Sequence, residues 1–220
     1  YHKIINTGEG GIVVTNNAKL AERVRLIRNH AEAKINSKDK KKLSNMIGHN
    51  FRLGEIEASI GLEQYKKLKK ILSYRTKFIN LLIKNLSNLK YLHLPKVEKN
   101  FTHNYYALPL VLDERISNKR KKIIKLLNEH GLKGVSEGYV NLHLLSMFTE
   151  KIAYGTRSFP WNLNKKSTYK YTKGTCKVAE QLHDKTFIGF EACLYELNAK
   201  SVEDITNLFK FVWKKLGICY

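Results

Sequence analysis

A lysine close to a glycine-rich turn is the first feature of the sequence that can do chemistry. Lys3 stands five residues before Gly8, which opens the run Gly-Glu-Gly-Gly. A lysine amine is a useful nucleophile only when its charge is removed, so a reactive lysine needs a special environment. Glycines let the backbone turn tightly where a side chain would collide. The pattern alone leaves two interpretations open, a lysine with a chemical role and a surface lysine before a plain hairpin turn.

The segments that follow this lysine, and that would position it, are predicted to form one strand and then one helix. Residues 11–15, GIVVT, form a short apolar and β-branched run that predicts a strand. Residues 17–30 then carry apolar side chains at helical spacing, with Asn17 in place as a cap. The Lys-rich segment 31–45 predicts an exposed loop.

The rest of the chain predicts more helix than strand. Residues 55–86 keep a helical apolar pattern without proline, with one break expected near Ser73. The run at 105–112 predicts a strand, and two later helices are expected to begin at Ser117 and Ser201 as caps. The fold class is therefore α/β at the start and α+β afterwards.

The change of pattern after the long helix predicts two domains. We place the first in residues 1–75 and the second in residues 76–220. The 220 residues are long enough for parts of two domains, and the 43 % of hydrophobic residues can supply a packed core.

The charge of the chain raises the question of a polyanionic partner. Lys and Arg number 40 against 19 acidic residues, a formal net charge of +21. A nucleic-acid-binding module is therefore one hypothesis. Against it, the basic residues are scattered over predicted helix faces, and no aromatic side chains alternate with them along a groove.

The cysteines and the hydropathy pattern bear on the cellular compartment in which the protein is expected. Cys176, Cys193 and Cys219 are odd in number and lack metal-ligand spacing, which favours a reducing compartment without a zinc site. The sequence has neither an apolar run of membrane-span length nor a signal-peptide pattern at its first residues. These features predict a cytoplasmic protein that binds neither a metal nor a membrane.

Several blocks, in order along nearly the whole chain, resemble one family. HKIINTGEGGIVVT at 2–15 resembles the Schiff-base lysine segment of the pyridoxal-phosphate-dependent sugar aminotransferases, the DegT/DnrJ/EryC1/StrS family. GHNFRLGEIEASIGLEQYKKL at 48–68 resembles a second block of that family. GYVNLHLLSMF, SFPW, YTKGTCKVAEQL and FIGFE resemble its small-domain segments.

The resemblance implies a fold and an assembly. It implies the C-terminal part of a fold type I pyridoxal-phosphate-dependent transferase, similar to aspartate aminotransferase, with the end of the large domain followed by a small α+β domain. It also implies a homodimer with shared active sites. A piece of this kind is expected to be inactive alone.

The resemblance assigns roles to seven residues. Lys3 is implied to be the catalytic residue that binds the cofactor covalently, with Gly10 as a further cofactor contact. Asn50 is implied to reach the cofactor phosphate of the neighbouring subunit. Substrate binding is implied for the side chains of Arg52, His103, Tyr139 and His143. The alternatives are an ion pair of Arg52 with Glu55 and packing roles for the other three.

The implied reaction is transfer of an amino group, usually from glutamate, to a nucleotide-linked keto sugar in surface polysaccharide or glycoconjugate biosynthesis. The dehydratase branch of the same fold carries His in place of the lysine, so Lys3 argues against it. An acceptor of cyclitol or aminohydroxybenzoate type stays open. Leu142 and Lys177 stand where the family often has proline, which affects the positioning of substrate and not the chemistry at Lys3.

Overall fold

The computed structural model describes residues 3–31, 46–164 and 169–218, which form two compact units. The first unit is Tyr1–Ile71 and the second is Leu72–Tyr220. The division lies four residues before the predicted boundary at 75. Residues 32–45, which make up most of the predicted Lys-rich loop, lie outside the described residues.

Helix α1, Ala18–Arg28, begins where its cap predicts. Asn17 Oδ1 accepts hydrogen bonds from the backbone N–H groups of Lys19 and Leu20, at 3.0 and 3.2 Å. These contacts satisfy two of the N–H groups that a helix leaves without partners in its first turn. The predicted start of the helix is confirmed, whereas the helix ends two residues before the predicted segment does.

The strand predicted at 11–15 is wrong in this structure. Residues 11–15 belong to no sheet, and Ile12 and Val14 are 87 % and 88 % exposed. With α1 and Phe51 they line a groove of about 850 Å³. A β-branched run becomes a strand only when another strand takes its backbone hydrogen bonds. The described part of the first unit offers no such partner to this run.

Helix α2, Glu55–Leu86, is continuous, so the break expected near Ser73 is absent. Its first half belongs to the first unit and its second half to the second. In the second half Phe78, Ile79, Leu82 and Leu86 are buried at helical spacing. This stripe forms one wall of the core of the second unit.

A four-stranded antiparallel sheet forms the centre of the second unit. Its strands are β1, Leu92–His93, β2, Leu108–Leu112, β3, Val135–Ser136, and β4, Phe187–Phe190, in the order β1-β2-β4-β3. Leu108 pairs with Phe190 and Leu110 with Ile188. The strand predicted at 105–112 is confirmed over its last five residues, whose alternate side chains enter the core.

The two later long helices exist, but their starts differ from the predicted caps. A 3-10 turn, Glu114–Lys119, capped by Asp113, precedes α3, Arg120–Glu129, so Ser117 is not a cap. Helix α6, Ala199–Lys215, begins earlier than expected. Asn198 is its cap and Ser201 completes a reciprocal capping box.

Short helical segments lie between β3 and β4. They include α4, Ser146–Thr149, α5, Lys177–Gln181, and a π-turn, Leu182–Thr186. Helix α6 packs apolar side chains, including those of Phe209 and Trp213, into the core. In the described ranges no helix combines the length and the hydropathy that crossing a membrane requires.

Candidate functional site

Lys3 lies on an exposed bend directly before the glycine-rich turn. The turn is built by local hydrogen bonds, because Asn6 Oδ1 accepts from the Gly8 N–H at 2.6 Å and Thr7 Oγ1 donates to the Glu9 carbonyl at 2.7 Å. Gly8 has a φ of +89°, a conformation that favours glycine. The residues after Lys3 therefore fold back sharply, as the sequence predicts.

Gly10 is the glycine of this turn that sits against other parts of the first unit. A Cβ atom at Gly10 would lie 2.8 Å from Thr7 Oγ1 and 3.2 Å from Leu53 Cδ1. At Gly11 the same atom would meet nothing within 4 Å. The turn after Lys3 is thus packed next to Leu53, which follows the candidate residues Asn50 and Arg52 in the sequence.

Asn50 and Arg52 are exposed and lie on one extended segment beside the end of α1. Asn50 forms an isolated β-bridge with Asn29, and the Phe51 N–H donates to the Arg28 carbonyl at 2.9 Å. Arg52 Nη1 donates to Asn29 Oδ1 at 2.6 Å. This amide is thus a side-chain partner of the Arg52 guanidinium in the described part of the chain.

His103, in the second unit, takes part in a local turn. Its Nδ1 accepts the Tyr105 N–H at 2.8 Å, and its ring lies 4.4 Å from the Tyr105 ring. Tyr105 has a φ of +49° and donates its hydroxyl to Asn80 Oδ1 at 2.8 Å. Because Nδ1 accepts, Nε2 carries the proton when the imidazole is neutral. Nε2 is then the atom of His103 that can meet a ligand.

Tyr139 and His143 lie four residues apart but have opposite surroundings. The Tyr139 side chain is 85 % exposed. The His143 side chain is only 12 % exposed, and its Nε2 lies 2.8 Å from Glu180 Oε1. The structure gives His103, Tyr139 and His143 three separate environments, so it does not gather the predicted substrate residues of this unit into one cluster.

Two residues that matter here were missed by reasoning from the sequence. Glu180 is buried under His143, and its pKa is lowered first by the Gly174 N–H and then by the hydrogen bonds from His143 and Cys176, while burial opposes the shift. Asn29 holds Arg52. An acidic residue inside the predicted YTKGTCKVAEQL block was a signal for Glu180, whereas nothing in the sequence singled out Asn29. Among the described residues, no three His, Cys, Asp or Glu side chains are grouped to hold a metal ion.

The chain is similar in sequence to several curated proteins. The UDP-4-amino-4,6-dideoxy-N-acetyl-beta-L-altrosamine transaminase of Helicobacter pylori is 32 % identical over 133 residues, which are 59 % of this chain and 34 % of that protein. The GDP-perosamine synthase of Caulobacter vibrioides is 30 % identical over 132 residues, 60 % of this chain and 34 % of that protein. The matched part thus spans about a third of the length of each of these relatives.

A solved structure shares the fold. PseC of Helicobacter pylori, an aminotransferase involved in the biosynthesis of pseudoaminic acid, superposes with a TM-score of 0.71 at 22 % identity, over 97 % of this chain and 51 % of that chain. The fold is therefore that of the fold type I pyridoxal-phosphate-dependent enzymes, as predicted. The family model of the DegT/DnrJ/EryC1/StrS aminotransferases matches residues 1–167, and the chain belongs to this family.

Proposed function

We propose that the protein to which this chain belongs transfers an amino group, from glutamate, to a nucleotide-linked keto sugar in surface polysaccharide or glycoconjugate biosynthesis. The observation that carries the proposal is the position of Lys3 before a turn packed against the segment of Asn50 and Arg52. The names of two relatives refer to a UDP-linked and a GDP-linked sugar. We also propose a cytoplasmic location, because an odd number of cysteines suits a reducing compartment.

The family assignment indicates pyridoxal phosphate as the cofactor, and the residues of the first unit fit it. Lys3 supplies the amine, Asn50 supplies an amide donor suited to a phosphate oxygen, and Gly10 keeps the turn close to Thr7 and Leu53. When bound, pyridoxal phosphate supplies an aldehyde for attachment and a ring that accepts electrons from the substrate carbon.

The chain's own residues would then bind, orient and move protons. Lys3 Nζ would hold the cofactor and, once released from it, carry a proton to or from the reacting carbon. Arg52 has one Nη1 contact with Asn29, and a guanidinium presents its remaining donors in a planar fork that suits a diphosphate. Anchoring by Asn29 would fix the direction of this fork before the substrate arrives.

Covalent labelling tests the proposal. The whole protein, purified with pyridoxal phosphate, is reduced with borohydride, digested and mapped by mass spectrometry. We expect the pyridoxyl label on Lys3, no label in Lys3→Ala, and an unchanged label in the control variant Lys19→Ala. A label on another lysine of the wild-type protein would contradict the assignment of Lys3.

Amino transfer is measured separately. A separate, unreduced sample of the holoprotein is incubated with glutamate and, in turn, a UDP-linked and a GDP-linked 4-keto sugar, and 2-oxoglutarate is followed. We expect formation of 2-oxoglutarate with at least one of them. A protein labelled on Lys3 that aminates neither sugar would leave the cofactor assignment standing and overturn the proposed acceptor.

A further inference from the structure

Two carboxylates hold together two segments of the second unit that are distant in sequence. Glu180 lies in α5, and Asp184 lies in the π-turn that follows it. We call residues 139–145 the Tyr139 loop and residues 172–176 the Gly174 turn. Each carboxylate contacts both segments, so each segment is held at two places.

Glu180 faces three hydrogen-bond donors. Its Oε1 lies 2.8 Å from His143 Nε2 and 3.1 Å from the Cys176 N–H nitrogen, and its Oε2 accepts from the Gly174 N–H at 2.7 Å. An ionised carboxylate is an acceptor only, so His143 Nε2 carries a proton in this contact. The side chains of Glu180 and His143 are 8 % and 12 % exposed, so little water competes for these bonds.

Asp184 repeats the arrangement one helical turn later. Its Oδ1 accepts from Asn141 Nδ2 at 3.4 Å, and its Oδ2 pairs with Lys173 Nζ at 3.2 Å. Asn141 belongs to the Tyr139 loop and Lys173 to the Gly174 turn. The loop is therefore bound through two side chains, Asn141 and His143, to two carboxylates on one helical segment.

The buried Arg120 fixes the helical segment from the other side. Its Nη1 donates to the His183 carbonyl at 2.6 Å and its Nη2 to the Asp184 carbonyl at 3.0 Å. These carbonyls belong to the π-turn, where the regular helical hydrogen bonds are altered. The rigid guanidinium of Arg120 thus fixes the backbone of the π-turn, which carries Asp184 and comes directly after the helix that carries Glu180.

We propose that Glu180 and Asp184 are positioning residues that fix the Tyr139 loop for binding the nucleotide part of the substrate. This inference rests on the proposed function. The Tyr139 side chain is 85 % exposed, so core packing does not hold it and the bonds at Asn141 and His143 set its place. An exposed aromatic ring offers a face on which a nucleobase stacks.

The experiment compares loop protection with ligand affinity in the whole protein. The variants are Glu180→Gln, Asp184→Asn and the milder Asn141→Ala, with Glu203→Gln on the exposed side of α6 as the matched control. Amide hydrogen exchange is followed in peptides that cover the Tyr139 loop and the Gly174 turn. The Kd values of UDP-N-acetylglucosamine and GDP-mannose are measured by calorimetry.

We expect faster exchange in both segments for Glu180→Gln and Asp184→Asn, and in the Tyr139 loop alone for Asn141→Ala. A glutamine at 180 turns an NH2 group toward a donor, so one donor loses its acceptor. The Kd of the nucleotide sugar bound by the wild type should rise about tenfold, the size expected when one hydrogen bond to a charged group is lost. Glu203→Gln should match the wild type, and cofactor absorbance should be unchanged in all variants.

Unchanged exchange, or faster exchange with unchanged Kd, would overturn the positioning role. If Glu180→Gln or Asp184→Asn fails to fold, Asn141→Ala decides by the same two readouts. A wild-type protein labelled on Lys3 that binds neither nucleotide sugar would overturn this inference and leave the cofactor assignment intact. A protein without the Lys3 label whose variants still lose nucleotide-sugar affinity would overturn the proposed reaction and support the positioning role.

Discussion

Arg52 donates a hydrogen bond from Nη1 to the Asn29 amide oxygen at 2.6 Å, across 23 positions of sequence. Asn29 follows the last residue of α1 and also forms a β-bridge with Asn50. One asparagine therefore sets the place of two candidate site residues. The orientation of Arg52 depends on α1, which contributes none of the predicted site residues.

Replacing Asn29 should weaken substrate binding more than the chemical step. In Asn29→Ala the Arg52 guanidinium loses its acceptor, and we expect the KM for the nucleotide sugar to rise about three- to tenfold with a smaller change in kcat. The exposed Asn16, changed to alanine, is the matched control. Steady-state kinetics that give the same KM for both variants would contradict this role of Asn29.

A methyl group at Gly10 should disturb the turn, whereas one at Gly11 should not. The new Cβ at Gly10 would lie 2.8 Å from Thr7 Oγ1, which is closer than a non-bonded carbon and oxygen normally approach each other. We expect Gly10→Ala to bind pyridoxal phosphate more weakly and Gly11→Ala to bind it normally, as measured by cofactor absorbance during dialysis. Adding Thr7→Ala to Gly10→Ala removes the colliding oxygen and should restore part of the binding.

Two neighbouring leucines of α2 should differ sharply in their effect on stability. Leu82 is fully buried in the core of the second unit, and Leu81 is exposed. We expect Leu82→Ala to lower the free energy of unfolding by about 2–5 kcal/mol. Leu81→Ala should change it by no more than about 0.5 kcal/mol. Urea unfolding followed by tryptophan fluorescence, to which Trp213 in the same core contributes, measures both changes. Equal losses would show that the core is misplaced.

The Glu180 carboxyl should make stability depend on acid pH. Its pKa is lowered in the folded protein, first by the Gly174 N–H and then by His143 and the Cys176 N–H, against the effect of burial. A carboxyl with a lowered folded pKa contributes stability that is complete above its unfolded value and is lost as pH falls through the folded pKa. The wild type should therefore exceed Glu180→Gln in Tm above pH 4.5, the ordinary value for this carboxyl.

As pH falls below this value, the difference between the two proteins should shrink. Thermal unfolding of both, from about pH 3 to pH 7, checks the trend. Glu203→Gln serves again as the control and should show no such pH-dependent difference from the wild type. A gap between wild type and Glu180→Gln that stays constant across the range would contradict the contribution assigned to the carboxylate.

We propose that the protein is a homodimer in which Asn50 serves the active site of the neighbouring subunit, and complementation tests it. Lys3→Ala and Asn50→Ala chains, each of which we expect to be inactive alone, are unfolded together and refolded as a mixture. If Asn50 crosses the interface, one site of each mixed dimer receives both defects and the other receives none, so activity returns. Activity no greater than the sum of the two variants would show that Asn50 serves its own subunit.

Local patterns in the sequence were enough for the presence of the main helices and for the turn after Lys3, but not for every helix start. The Asn17 cap and the apolar spacing placed α1 and α2, because a helix closes its hydrogen bonds within one segment. The cap of α6 was misplaced by three residues, since both Asn198 and Ser201 can accept a first-turn N–H and only the packed helix shows which one does.

Contacts between segments that are far apart in the chain could not be predicted from local sequence patterns. Residues 11–15 have the composition of a strand, yet a strand depends on a partner that the local sequence does not contain. The bonds of Arg52 to Asn29 and of His143 to Glu180 likewise join residues far apart in the chain.

The sequence by itself determined the family pattern, Lys3 with its glycine-rich turn, and the main helices, because these depend on residue types at short and fixed spacing. The tertiary structure decided which donors and acceptors meet. It placed the nearly buried His143, for which a ligand contact stays a prediction, beside Glu180, and it tied Arg52 to α1. The reason is that a buried polar group needs a hydrogen-bond partner, and chain packing decides which donor or acceptor lies within reach. The separation of two residues along the sequence does not determine whether they meet.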